Sequence, residues 1–407
     1  MAIQGFRHTA NFVSEQRPKN WREMILLLQP NGSAPLTALT SLMKSRSTDD
    51  AEFNWWDKRM ESRRLTLGGN LAAGTAGDAS TLTLVGGGLG VKPGDVLMSE
   101  HTGEVMRVTA STSATSISAV RGFAGTTNAA ITLATAGTNP NLVVIGSVYE
   151  EGSDAPVGVN FDPTKRFNFT QIFRNTLEMT RTAMNTRLRT GDQVREAKRE
   201  CLEIHTNDME RAFWLGQRWE GTLNGKPART TGGVDSFIAA GNKVSAPGGA
   251  LDMDTLDEYF YSMFKWGSSE KVGFAGNRAI LALHQAIRKN STYNIQGGLK
   301  EYGMNVTRIT SPFGELVLKR HPLFSVLPGG VVGDTRFFGM DSTLYVLDAA
   351  NLHYVYLKAG DTQYQKKLQG NGIDGEKSGY LTEAGIELHH PDTHFKISNL
   401  YSGVADS

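Results

Sequence analysis

The chain has a single cysteine, Cys201, among 407 residues, so no disulfide can form within it, and a reducing folding compartment is expected. It has no block of Lys or Arg, and its formal net charge is +1. That excludes a reader of nucleic acid that works by neutralising many phosphates. No run of eighteen apolar residues occurs, and the first twelve residues lack the apolar centre of a signal peptide. The expected protein is therefore made and used in the cytosol, with no membrane partner.

Catalytic signatures are missing as well. The stretch from Gly221 to Lys226 looks like a phosphate-binding loop, but it is one residue short between its glycines and carries Pro227 where Ser or Thr would hold Mg²⁺. The Gly86 to Gly90 run lacks the spacing and the following helix of a dinucleotide fingerprint, and reads as a turn. No nucleophile elbow or zinc-protease pattern occurs. His389, His390, Asp392 and His394 could ligate a metal if they converged. Pro391 makes the segment a turn and alternation separates His389 from His390, so a solvated turn is the preferred reading. No enzyme, no cofactor and no metal site is expected.

Against these absences stands a hydrophobic content of 39%, enough for real cores in two or three domains. The run 192–220 has no proline and reads as one long helix of about 43 Å. Val194, Cys201, His205, Ala212 and Trp219 share one line, flanked by Ala197, Ile204 and Leu215 and by Leu202, Met209 and Phe213. Asp192 is the expected N-cap and Gly221 the expected stop. Glu196, Arg199, Glu203, Asn207, Glu210 and Arg218 form the opposite, polar side. Trp214 falls on that polar side, where it either meets another molecule or lies under a loop of its own chain.

In chain order, 1–20 reads as an extended arm, followed by amphipathic helices at 21–28 and 35–43 and an inward-packing strand edge around Phe53 and Trp55. From Leu65 to Asn141 Gly, Ala, Ser and Thr dominate and charge becomes sparse. Short β-type runs at 81–85, 95–98, 103–109, 115–121 and 130–133 predict a small all-β module there. Glu150, Glu151 and Asp154 form an acidic loop, either a salt-bridge donor to a neighbouring subunit or, preferred, a solvated turn. Alternating residues 167–173 lead into the long helix. Beyond it, helices at 255–266 and 277–289 flank a buried strand at 272–276, and a late series of strands from 336 to 400 predicts one long antiparallel sheet. The class is α+β.

This order resembles the Hong Kong 97-type major capsid proteins of tailed double-stranded-DNA bacteriophages, in the branch whose extended loop carries an inserted β domain. The resemblance rests on the run from Trp21 to Asn31 with Ala34, Pro35 and Leu36, on Phe53 to Trp56, on Val120-Arg121-Gly122-Phe123-Ala124-Gly125-Thr126-Thr127, on Glu150 to Pro156 and on Asn168 to Arg174. It implies an N-terminal arm and the start of a peripheral domain at 1–64, and the extended loop with its β insertion at 65–165. The spine helix would occupy 166–226, the axial domain 227–335 and the closing peripheral sheet 336–407. It further implies a shell protein that assembles with itself into pentamers and hexamers around double-stranded DNA. Portal and scaffolding proteins are then expected partners, and a decoration protein is a further one. With only about twenty residues before the first helix, the scaffolding is expected to be separate or absent. Trp214, Glu150, Glu151, Asp154 and Lys92 are the candidate assembly residues. Some relatives cross-link a loop lysine to a neighbour's asparagine; Lys92 is the only lysine between Lys58 and Lys165 and lies in a turn, so no such network is expected here. Two other readings share parts of the pattern: an encapsulin-like cellular nanocompartment shell, which lacks the inserted domain, and a phage tail or adhesin component, which would not explain the long helix.

Overall fold

A computed structural model describes residues 43–59, 63–85, 90–113, 115–133, 139–156, 158–186, 192–246, 251–290, 295–301, 304–326 and 339–400. The expected arm, the helix at 21–28, all but the last residue of the helix at 35–43, the glycines 86–88 and the first part of the late series of strands, 336–338, lie outside them. The chain forms two compact units, one of Met1–Trp55 with Arg166–Ser407 and one of Trp56–Lys165.

The unit Trp56–Lys165 is built on six strands: β3 (Arg64–Leu67), β4 (Ala79–Val85), β5 (Asp95–Ser99), β6 (Val105–Ser113), β7 (Ser116–Val120) and β8 (Asn141–Ser147). They close into a barrel in the order β3-β4-β7-β6-β5-β8, every neighbouring pair antiparallel. Alternation drives this. Leu82 and Leu84 of β4, Met106 and Val108 of β6, and Ile117 and Ala119 of β7 point inward to a core completed by Leu65, Leu67, Leu97 and Leu142. Closure removes the free edges that an open sheet of this composition would offer to other chains. The strand expected at 130–133 is only a single bridge, Ile131 to Leu71, although Ile131 and Leu133 both pack on the barrel core.

The other unit holds two larger sheets. In the first, β1 (Lys44–Thr48), β19 (Leu352–Leu357), β21 (Gly375–Leu388) and β10 (Gln171–Thr180) follow one another, with β20 (Gln363–Gln365) also on β21. The second runs β13 (Lys243–Ser245), β22 (Phe395–Ser398), β18 (Leu344–Leu347), β14 (Glu270–Ala275), β17 (Gly314–Arg320), β16 (Met304–Ser311) and β15 (Ile295–Glu301). Two ladders complete the set, β2 (Glu52–Asp57) with β9 (Thr164–Phe169) and β11 (Trp219–Leu223) with β12 (Lys226–Thr230). The late strands therefore do not make one sheet, as expected above, but divide between two. Each of the four residues of β18 is buried, the mark of a central strand, and local alternation cannot say in which sheet such a strand is central.

The long helix spans Gln193–Leu215, about 35 Å. Asp192 caps it, its Oδ1 accepting from the amides of Val194 and Arg195 at 3.0 and 3.3 Å. It stops at Gly216 rather than near Gly221, since Trp219 and Glu220 are taken into β11. A Cβ at Gly216 would lie 2.4 Å from the carbonyl oxygen of Ala212 and 2.5 Å from that of Thr231, so only glycine allows this close approach. Cys201, His205, Met209 and Phe213 are buried as the periodicity predicts, whereas Leu202 and Ile204 are exposed.

Candidate functional site

Trp214 corrects the sequence reading most sharply. It is 1% exposed, with its ring 5.3 Å from Phe274, 5.1 Å from Phe324 and 5.1 Å from Tyr345, so it cannot be a contact with another subunit. Its Nε1 donates to Glu210 Oε1 at 2.9 Å, and His321 Nε2 lies 2.8 Å from the same oxygen. Glu210 and His321 are fully buried, although Glu210 was assigned to the polar side. The reason is geometric. Nine residues at 100° place Trp214 half a turn from His205, and the last turns of the helix are covered on both sides, by β10 with β21 on one and by the aromatic cluster on the other.

The remaining candidates lie in the barrel unit. Glu150, Glu151 and Asp154 are exposed, in a turn where the Ser153 amide donates to the Glu150 carbonyl at 3.2 Å, and none makes an ion pair among the described residues. Lys92 opens the turn before β5, where its amide donates to Asp95 Oδ2 at 3.0 Å. That carboxylate also accepts from Arg63 at 2.7 Å. The turn that holds Lys92 lies against the residues leading into the acidic loop, the Val148 amide donating to the Gly94 carbonyl at 2.8 Å and the Tyr149 hydroxyl to the Pro93 carbonyl at 3.3 Å, but among the described residues no ion pair joins Lys92 to Glu150, Glu151 or Asp154.

The histidine-rich turn is not solvated. His394 is fully buried: its Nδ1 accepts from the Asp348 amide at 3.3 Å and its Nε2 donates to the His389 carbonyl at 3.2 Å. Burial pushes its pKa down to about 4, against the opposing hydrogen bond to His389 and the charge of Asp348. His389 instead meets Glu387 at 2.6 Å. Among the described residues no group of three or more His, Cys, Asp or Glu is arranged to hold a metal ion. Burial raises the Cys201 thiol pKa, which suits a packing residue rather than a nucleophile.

Three buried polar joints went unrecognised in the sequence. In the barrel, Arg121 and Glu104 form a bidentate ion pair, Nε to Oε1 at 3.0 Å and Nη2 to Oε2 at 2.6 Å, with both residues 1% exposed. Arg121 also donates to the carbonyls of Ala72 and Ala129, and Glu104 accepts from the amides of Gly122 and Ala129 at 3.1 and 3.3 Å. In the other unit, Asn168 donates to Thr231 Oγ1, Gly232 O and Ile386 O and accepts from the amides of Phe169 and Gly232. Lys271 is buried and donates to the carbonyls of Met263, Trp266 and Thr393; burial lowers its pKa to about 8. Arg121 and Asn168 both lie within runs that carried the resemblance, which was the only signal of their importance. These joints bind elements together and present no reacting geometry.

The sequence model of the SU10 major capsid protein family matches residues 3–401. A protein of Pseudomonas phage PaMx41, described as a major capsid protein, is 30% identical over 413 aligned positions, covering 97% of this chain and 96% of the relative. Among solved structures, that from Mycobacterium phage Cain overlaps 99% of this chain and 100% of its own at 8% identity and a TM-score of 0.46. A solved capsid of a native GTA particle overlaps 97% of this chain and 98% of its own at 10% identity and a TM-score of 0.44. The SrpI encapsulin of Synechococcus elongatus PCC 7942 overlaps 60% of this chain and 80% of its own at 14% identity, with a TM-score of 0.42.

Proposed function

Because the chain belongs to the SU10 major capsid protein family, and is thus a structural protein of a bacteriophage head shell, we propose that its copies assemble into pentamers and hexamers of an icosahedral shell around double-stranded DNA. The nanocompartment and tail-component readings give way to this family membership. Portal and scaffolding proteins are proposed partners, with a decoration protein as a further one, and assembly is placed in the host cytoplasm. DNA is contacted without sequence preference and incidentally, the chain having no Lys or Arg block with which to neutralise many phosphates. We assign 65–165 as the extended loop that reaches between subunits, with 1–64, 166–226, 227–335 and 336–407 in the domain roles given above. Glu150, Glu151 and Asp154 are proposed ion-pair donors to a neighbour.

One observation carries the loop assignment. The barrel's apolar core draws only on residues between Leu65 and Val144, and the cores of the other unit draw on none of these. Its work therefore lies elsewhere than in folding the rest of the chain. Replacing 69–139 by a short Gly/Ser linker tests this. The ends already meet, because the Leu67 amide donates to the Pro140 carbonyl at 2.8 Å. The shortened monomer is expected to unfold cooperatively while shell formation fails, each copy having lost a contact repeated throughout the shell. Shells of normal yield and stability would overturn the assignment, and so would an unfolded monomer.

A second expectation concerns Lys92. The turn that holds it is pinned by Asp95, and no other lysine lies between Lys58 and Lys165. Denaturing gels of mature shells should show one band near the 44.3 kDa of the monomer; a ladder of multiples would mean that subunits are covalently joined.

A further inference from the structure

Between residues 65 and 149 the only Asp, Glu, Lys or Arg residues are Asp78, Lys92, Asp95, Glu100, Glu104, Arg107 and Arg121. Asp95, Glu104 and Arg121 are buried, and Glu100 is held by Arg64 beside β3. Arg107 is thus the one charge on the outer side of β4, β7 and β6. Apart from Val85, Val105 and Val120, that face carries small hydroxyl side chains in register: Thr81 of β4 lies opposite Ser118 of β7, Thr83 opposite Ser116, and Ser116 in turn opposite Ser113 of β6. Thr81, Thr83 and Ser113 are exposed, and Thr109 extends the row, its hydroxyl donating to the Ser118 carbonyl at 3.1 Å.

An exposed β face normally carries Lys or Glu to keep other β surfaces away. This one, rich in β-branched residues and without proline, lacks that protection, whereas 20% of the whole chain is charged. From this we infer that the outer face of β4, β7 and β6 is the surface by which the barrel docks onto a second copy of this chain. The inference rests on the reading of 65–165 as a loop between subunits. A subunit of a shell is surrounded by copies of itself. A face with Arg107 as its single charge demands little matching of sign, so it suits a contact that repeats in slightly different settings around five- and six-membered rings. Size sets how it works. Three strands at about 4.8 Å spacing and seven residues at about 3.3 Å each give a face of roughly 330 Å², well below the roughly 800 Å² per partner of an interface that is stable alone. The face therefore holds only where the other contacts of the shell position it, and the free protein should not dimerise through it.

The test is Thr83→Lys with Ser118→Lys in the full chain, beside a His101→Lys control in the exposed turn between β5 and β6. The double variant is expected to melt within a few degrees of the parent and to lose shell yield at least tenfold, while the control assembles normally. A photo-crosslinking residue at position 83 of intact shells should join two copies of this chain, a readout that does not depend on how the lysine variant folds. Normal shell yield from the double variant would overturn the inference, as would a crosslink to a different polypeptide or no crosslink at all. If the 69–139 deletion blocks assembly while the double lysine variant does not, the face is wrong and the loop reading stands; if the deletion itself assembles, the loop reading falls.

Discussion

Replacing Arg121 by alanine is expected to unfold the barrel at the temperature where the parent chain is fully folded. The change leaves Glu104 as an uncompensated carboxylate 1% exposed in an apolar interior, and it strands the carbonyls of Ala72 and Ala129. Removing one partner of a buried ion pair costs about 3–5 kcal/mol. For a domain of this size that corresponds to a fall in melting temperature of roughly 12 °C or more. Burying such a pair is often no better than an apolar pair of equal volume, so the double change Arg121→Met with Glu104→Leu would ordinarily restore stability. Here it should not, because Glu104 also holds the amides of Gly122 and Ala129 and each buried group left unpaired costs about 1–3 kcal/mol. Calorimetry of the full chain, with proteolysis mapped to 65–147, checks both variants. A single variant that melts with the parent, or a double variant as stable as the parent, would show that the joint does not hold the barrel closed.

That joint also marks how far the sequence could be read. The run Val120 to Thr127 is marked in the sequence only by its resemblance to a capsid family, yet Arg121, Gly122 and Thr126 each have a local reason. Gly122 adopts φ 63° with its missing Cβ 2.9 Å from Ala76, and the Thr126 hydroxyl donates to the Phe123 carbonyl at 2.9 Å while accepting from the Val105 amide at 3.0 Å. Spacing predicts that β4, β6 and β7 are strands, because period-two alternation is a local signal. That β3 and β8 close them into a barrel depends on pairing between Arg64–Thr66 and Asn141–Val143, far apart in the sequence, which no local pattern carries. The same limit explains Trp214 and Glu210. A helical wheel assumes one buried side, whereas the last turns of this helix have two. The assembly surface was hidden for the opposite reason: its signal is missing charge, and sparse charge in a Ser/Thr-rich segment reads first as low complexity.

Acid is expected to destabilise the unit that holds the two large sheets before it affects the barrel. His394 uses both ring nitrogens as a neutral imidazole, Nδ1 as acceptor from Asp348 and Nε2 as donor to His389. Protonation would turn Nδ1 into a donor facing the Asp348 amide, at a side chain with no exposure to solvent. Burial holds the His394 pKa at about 4 in the folded chain, against about 6.5 when unfolded. The folded value is the lower one, so between these limits the unfolded chain binds the extra proton. The stabilisation is complete above pH 6.5 and is lost as pH falls toward 4, about 2 kcal/mol by pH 5 and about 3 kcal/mol by pH 4. His205 and His353 act in the same direction. Burial lowers His205 against the charge of Asp208, and burial with the charge of Arg46 lowers His353. The barrel's one histidine, His101, lies in an exposed turn. Trp55, Trp214, Trp219 and Trp266 all lie in the sheet-bearing unit, so urea unfolding followed by tryptophan fluorescence reports mainly on it. Its midpoint should hold level from pH 7.5 to about pH 6.5 and then fall toward pH 4.5. His394→Gln, whose amide can accept from Asp348 and donate to His389 without titrating, should flatten that slope. Equal midpoints at pH 7.5 and pH 5, or a slope unchanged in the glutamine variant, would mean that His394 is not held neutral by its burial.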